Sequence, residues 1–196
     1  EETKIIVSKL ESIEEKFKNL SNSDEIIINP NTPEDLYFNA RLYELKGDYI
    51  SAREAYIKYF NLKLDYIDPH LRFIKFLKIQ EGLFGAKEFY LTLYNEDQRS
   101  LIEFLKIFFY KSSVRIQLLE KFISNNPDFA MAYYELSNEF SEKNLGIQSI
   151  HDKRRELAAL TSFVKLIEEG KFAKFFIDQE LANEIILDAR ARLRSL

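Results

Sequence analysis

The chain has 196 residues, 46% apolar and 14% aromatic, enough to bury the core of one domain or one short repeat array. It has no cysteine, which excludes disulfides, thiolate catalysis and thiolate-held metal without fixing a compartment, and its five Gly and four Pro argue against a many-turned β fold or a disordered tail. The 28 basic and 32 acidic residues are interspersed and sum to −4, which excludes a long-range pull toward nucleic acid or an anionic membrane.

Residues 1–20 form the first expected element. Ile6, Leu10, Ile13, Phe17 and Leu20 recur at 4-3-4-3 spacing among Lys and Glu, a heptad seam. Two readings stay open: an amphipathic helix lying on the rest of the chain, or the end of a longer coiled coil that continues upstream of Glu1. The chain opens on Glu1 rather than Met, so a missing leader carries no information. Residues 21–32 read as a polar linker with a small apolar patch at Ile26, Ile27 and Ile28.

Thr32 as N-cap, Pro33 at the first helical position and Asp35 beside the amide ends start a helix that runs to about Lys46. Gly47 stops it, Tyr49 is placed in the turn, and a second helix is expected from about Ile50 to Leu62. Ala40 and Ala52 let the two backbones approach, with Tyr43, Tyr49 and Tyr56 filling the wedge between them. Asp68-Pro69 repeats the cap-then-proline start. Leu71, Ile74, Leu77 and Ile79 are expected to face inward from that helix, Gly82 and Gly85 to mark a turn, and Ala86 and Tyr90 to be buried on a partner helix from about Leu83 to Tyr94. A third pair is expected over about Asp97 to Asn125, with a break at Lys111-Ser112-Ser113. Its first helix contains the densest apolar stretch, Leu101 to Tyr110, which Glu103 and Lys106 interrupt well short of the roughly 18 residues of a membrane span.

Asn126-Pro127-Asp128 opens a fourth unit, with Tyr133, Leu136, Ser137 and Phe140 at buried offsets of a helix over Ala130 to Phe140. A turn at Asn144-Leu145-Gly146, a long helix to about Glu169, a short FAKFF segment and a final helix from Asp178 to about Arg194 complete the chain. Leu181, Ile185, Ile186, Ala189 and Leu193 form the inward stripe of the last helix, opposite Arg190, Arg192 and Arg194.

Few residues suggest chemistry. His70 and His151 are far apart and belong to no spaced ligand motif, and His70 in the first turn of a helix reads as a capping or surface residue. No Gly-rich phosphate loop is present. Lys153-Arg154-Arg155 beside His151 is the densest positive spot; with Asp152 and Glu156 flanking, it reads first as a solvated helix face and second as a seat for an acidic segment or a phosphate. No catalytic, cofactor-binding or metal-binding residue is therefore expected, and no cofactor.

The order small–aromatic–Gly–aromatic–small–aromatic over Ala40, Tyr43, Gly47, Tyr49, Ala52 and Tyr56 resembles the tetratricopeptide repeat family. The resemblance is clearest at 33–60 and 130–140 and degenerate between; residues 143–196 lie outside it. It implies an all-α, right-handed helical-repeat solenoid of about four helix pairs over 33–142. The N-terminal amphipathic helix and a C-terminal extension with capping helices over 143–196 would flank it. It also implies that the first helix of each pair lines a concave wall. Tyr37, Arg41 and Glu44 (with Glu34), Lys75 and Lys78 (with Leu71), and Met131, Tyr134 and Asn138 would then face a groove for a protein or peptide partner of mildly acidic or amphipathic character. Some members clamp a partner's C-terminal carboxylate with Lys and Asn; Tyr37 and Arg41 stand at those places here, which speaks against that mode.

The function expected is a non-catalytic scaffold or adaptor that binds a protein or peptide segment, with no nucleic-acid partner and no membrane insertion. Two alternatives remain. One is a structural scaffold made oligomeric through the N-terminal heptad helix; the other is the docking or regulatory domain of a larger enzyme whose remainder precedes Glu1.

Overall fold

The computed structural model describes residues 20–196, and every regular element among them is helical. The heptad seam, apart from Leu20, lies outside the described residues. These divide into two compact units, with the boundary between Phe76 and Leu77.

The first unit is built on α1 (Pro33–Lys46) and α2 (Tyr49–Phe60), which pack side by side. The Thr32 hydroxyl accepts from the Asp35 amide at 3.1 Å, and Gly47 closes α1 in the left-handed region at φ +77°, as the sequence leads one to expect. Asp48 then caps α2 by accepting from the Ser51 amide, so Tyr49 begins that helix instead of sitting in the turn. Ala40 and Ala52 are fully buried, consistent with close backbone approach.

Of the three rings expected in the wedge, only Tyr56 is fully buried, while Tyr43 is half-buried, and other rings join Tyr56. Tyr37, Tyr56, Tyr59 and Phe60 are buried, while Tyr49 is 46% exposed. Phe73 and Phe76, from the start of α3 (Ile67–Glu96), join them, with ring centroids 4.9 Å apart for Tyr56–Phe73 and 5.1 Å for Phe60–Phe73. His70 belongs to this cluster. It is buried and lies flat on Phe60 at 4.2 Å, which corrects the surface role expected for it: the first turn of α3 packs onto the last turn of α2. The segment before α1 is tied down too. The Asn39 side-chain amide donates to the Ile27 carbonyl and its oxygen accepts from the Ile27 amide, both at 2.9 Å, a reciprocal pair of the kind that joins two strands.

Helix α3 breaks at Gly82, whose φ of +73° and ψ of −179° are open to glycine alone. The expected turn is thus the single residue Gly82, and a second helical stretch follows it through Gly85, which is helical rather than part of the turn, to Glu96. Leu77 is fully buried but Ile79 is 69% exposed. Two residues along a helix turn the side chain by about 200°, so burying Leu77 sends Ile79 to the opposite side.

The second unit continues with α4 (Ser100–Lys106), a 3-10 turn (Ile107–Phe109), α5 (Ser112–Asn125), α6 (Ala130–Phe140), the single-turn α7 (Glu142–Leu145), α8 (Ile150–Glu168), a 3-10 turn (Ala173–Phe175) and α9 (Gln179–Ser195). Ser149 and Asp152 form a reciprocal capping box at the start of α8, and Asp178 caps α9. The core is a chain of rings: Phe104 meets Phe129 at 4.8 Å, Phe163 meets Phe172 at 4.9 Å and Phe172 meets Phe176 at 4.8 Å. Helix α8 packs on α6 and on α9. Ala182, Ile185 and Ala189 form the buried stripe of α9, close to the stripe expected. No helix among the described residues is long and apolar enough to cross a membrane.

Lys153, Arg154, Arg190 and Arg194 are exposed, as expected of solvated faces, but one member of each set departs from it. Arg155 is not a solvated member of a basic run: it pairs with Glu120 and its guanidinium lies 4.0 Å from the centroid of the Phe140 ring. Arg192 is not part of an outer charged face, because it is drawn inward to Glu156.

Candidate functional site

Helix α6 has two unlike faces. Ala130, Met131, Ala132, Ser137 and Phe140 are buried, and the small side chains among them let α8 approach. Tyr134, Glu135, Asn138 and Glu139 fall at i, i+1, i+4 and i+5, which places all four on one helix face. That face borders an open pocket of about 430 Å³. Phe108 and Arg115 form one side of it, Ser141, Lys143 and Asn144 the rim, and Asp188 and Arg192 the side contributed by α9.

The charges around the pocket are arranged unevenly. Glu135 and Glu139, four apart on one helix, repel each other unless something neutralises one of them. Arg115 does so for Glu139, reaching it at 2.6 Å, and the Ser112 hydroxyl donates to the other oxygen of the same carboxylate. Arg192 is committed elsewhere. It donates to Glu156 at 2.5 and 2.9 Å, to the Asn138 side-chain oxygen at 2.7 Å, to the Ser137 hydroxyl at 3.2 Å and to Asp188 at 3.3 Å. Asp188 also accepts from the Tyr134 hydroxyl at 2.8 Å.

Glu135 is left over: among the described residues it makes no ion pair. Withdrawal from water, with Glu139 adding to it, raises its carboxyl from the ordinary 4.5 to about 7, against the opposing pull of Asn138, Arg115 and Arg192. The same withdrawal, with the bond to Asp188, pushes the Tyr134 phenol well up, so it remains a donor.

The residues expected to line a groove are placed as follows. In the first unit, Tyr37 is buried in the aromatic core, where the wedge between α1 and α2 needs a ring, and it is not offered to a surface. The Arg41 guanidinium lies 5.7 Å from the centroid of that ring. Glu44 accepts from the Tyr56 hydroxyl at 2.8 Å and from Arg72 at 3.2 Å. Lys75 is exposed. In the second unit, Lys78 lies over Phe109 at 5.7 Å, and burial together with Arg115 lowers its ammonium below the ordinary lysine value. Met131 is buried in the core at 3% exposure, because the face that meets α8 extends to it. Tyr134 and Asn138 alone of the eight line the pocket together.

Arg115, Glu135, Glu139, Lys143 and Asp188 did not stand out in the sequence, and Arg192 stood out only as part of a charged outer face. The signal that could have found them is the polar pair of positions repeated four residues apart in YYELSNEF, beside a largely apolar opposite face. No family model and no curated protein matches this chain. The reading of the pocket therefore rests on its own chemistry. No group of three or more His, Cys, Asp or Glu suited to a metal ion occurs among the described residues.

Proposed function

We propose that this chain is a non-catalytic scaffold that binds a peptide or protein segment, that its helix pairs form a tetratricopeptide-like solenoid, and that the polar face of α6 is the contact surface. The observation that carries the reading is the pocket itself. One face of α6 is sealed in the core, and the other meets an open concavity of about 430 Å³ rimmed by Lys143 and Asn144. That volume lies in the range of sites that accept a small ligand or one large side chain.

A carboxyl near 7 is also what a general base requires, but the hydroxyls around Glu135 are occupied with other work. Ser112 donates to Glu139, Ser137 to the Tyr134 carbonyl, and Ser141 to the Asn138 carbonyl. Among the described residues no side-chain nucleophile is set up on Glu135, which favours recognition over acyl or phosphoryl transfer.

The test is site-directed photo-crosslinking in a lysate of source cells, with the crosslinking residue at Asn144 on the rim and, as control, at the exposed Lys165 on α8. One protein captured at Asn144 through a single short segment, and absent at Lys165, is the expected result. The same adducts at both positions, or none at Asn144, overturn the proposal.

A further inference from the structure

We propose that the pocket receives the cationic end of a lysine or arginine side chain from the bound segment, with Glu135 as its counter-charge. The inference rests on the segment-binding reading above and names what enters the pocket.

The argument is one of uncommitted charge. Every charged group lining the pocket with Glu135, the exposed Lys143 excepted, has an assignable role. From α5, Arg115 is spent on Glu139. From α6, Glu139 is held by Arg115 and Ser112. From α9, Arg192 is spent on Glu156, and Asp188 accepts from Arg192 and Tyr134. Lys143 stands at the exposed rim, and burial, with Arg115 nearby, lowers the Lys78 ammonium below the ordinary lysine value. Apart from Lys143 at the exposed edge, an entering anion would meet two guanidiniums that already hold carboxylates, and it would be repelled by Glu135 and Asp188. A cation would meet a half-buried carboxylate that has no ion pair among the described residues and can gain one. Phe108 lines the same pocket, and an aromatic wall favours a cation over an anion.

The pairing carries its own signature. The free carboxyl is raised to about 7, so a cation binds its ionised form and displaces a proton. Arginine and lysine stay charged throughout this range, so affinity rises with pH by about tenfold between pH 6 and pH 8.

The test titrates the full chain with three blocked tripeptides, acetyl-Gly-Xaa-Gly-amide with Xaa arginine, norleucine or glutamate. Binding is followed by NMR shifts of the Tyr134 to Glu139 amides. The arginine peptide is expected to bind and to weaken about tenfold from pH 8 to pH 6, while the other two leave these amides unmoved. E135Q is expected to abolish the response with unchanged helicity, and K143E, on the exposed rim, to strengthen arginine binding a fewfold. Binding of norleucine as tight as arginine, preference for glutamate, silence with all three, or an undiminished response in E135Q overturns the proposal. Preference for glutamate or norleucine fells the cation alone and leaves a segment-binding pocket, whereas the crosslinking result at Asn144 judges the broader reading independently.

Discussion

The guanidinium of Arg192 and the carboxylate of Glu156 meet at 2.5 Å between α9 and α8, and the two side chains are only 19% and 4% exposed. A pair so shielded is held in place less by its own attraction than by the cost of leaving either member alone. The same guanidinium fixes the Asn138 amide, so the ion pair also sets one wall of the pocket.

R192M is therefore expected to destabilise the chain by about 3 kcal/mol in urea denaturation, since Glu156 is left buried and uncompensated. R192M combined with E156Q should recover part of that loss. A double variant as unstable as the sum of the singles would show that the two residues act separately.

Glu135 predicts a stability that falls as pH rises. Its carboxyl is raised from 4.5 to about 7 in the folded chain, so the native state holds more protons than the unfolded one between those values, and stability declines across that window. E135Q removes the penalty. It should be more stable than the native sequence at pH 8, by up to about 2 kcal/mol once its contact with solvent is allowed for, and equal to it at pH 4. Parallel melting curves from pH 4 to pH 8 would contradict this.

Ala52 is fully buried where α2 meets α1, so A52L must force the two backbones apart. A loss of about 2 to 3 kcal/mol is expected, measured by denaturant midpoint at constant m-value. A neutral result would mean that the pair is not packed through its small residues.

Gly82 offers a cleaner backbone test. A methyl group there would meet nothing within 4 Å, yet φ is +73°. G82A should cost about 1 to 3 kcal/mol through conformational strain alone. At Gly85 an added carbon would fall 2.6 Å from the Glu81 Cβ, so any loss in G85A has a steric origin instead.

Helix boundaries were legible because short-range chemistry writes them. Thr32-Pro33, Gly47 and Asp178 each satisfy or end the backbone within one turn. The facing of side chains was less legible where apolar residues occur all round. Leu71, Phe73, Ile74, Phe76, Leu77 and Ile79 permit more than one inward stripe, and only tertiary packing selects Phe73, Phe76 and Leu77 over Ile79. Tyr37 and Met131 were assigned to a groove for the same reason: a ring and a thioether suit a core as well as a surface. The pocket was half visible, through Tyr134 and Asn138. Its other walls come from Phe108, Arg115, Asp188 and Arg192, whose meeting depends on how α5, α6 and α9 pack, and no local pattern encodes that.

Since one wall of the pocket belongs to the final helix, occupancy and the docking of α9 are thermodynamically linked. A guest that touches both walls can be held only while that helix is seated, and so its binding energy is added to the work of peeling α9 away. Amide exchange along α9 should slow on ligand binding even at residues more than one turn from the pocket, because they exchange through the same undocking. An event at Glu135 would in that way be felt as stiffness at Ala182, without any change in the path of the backbone.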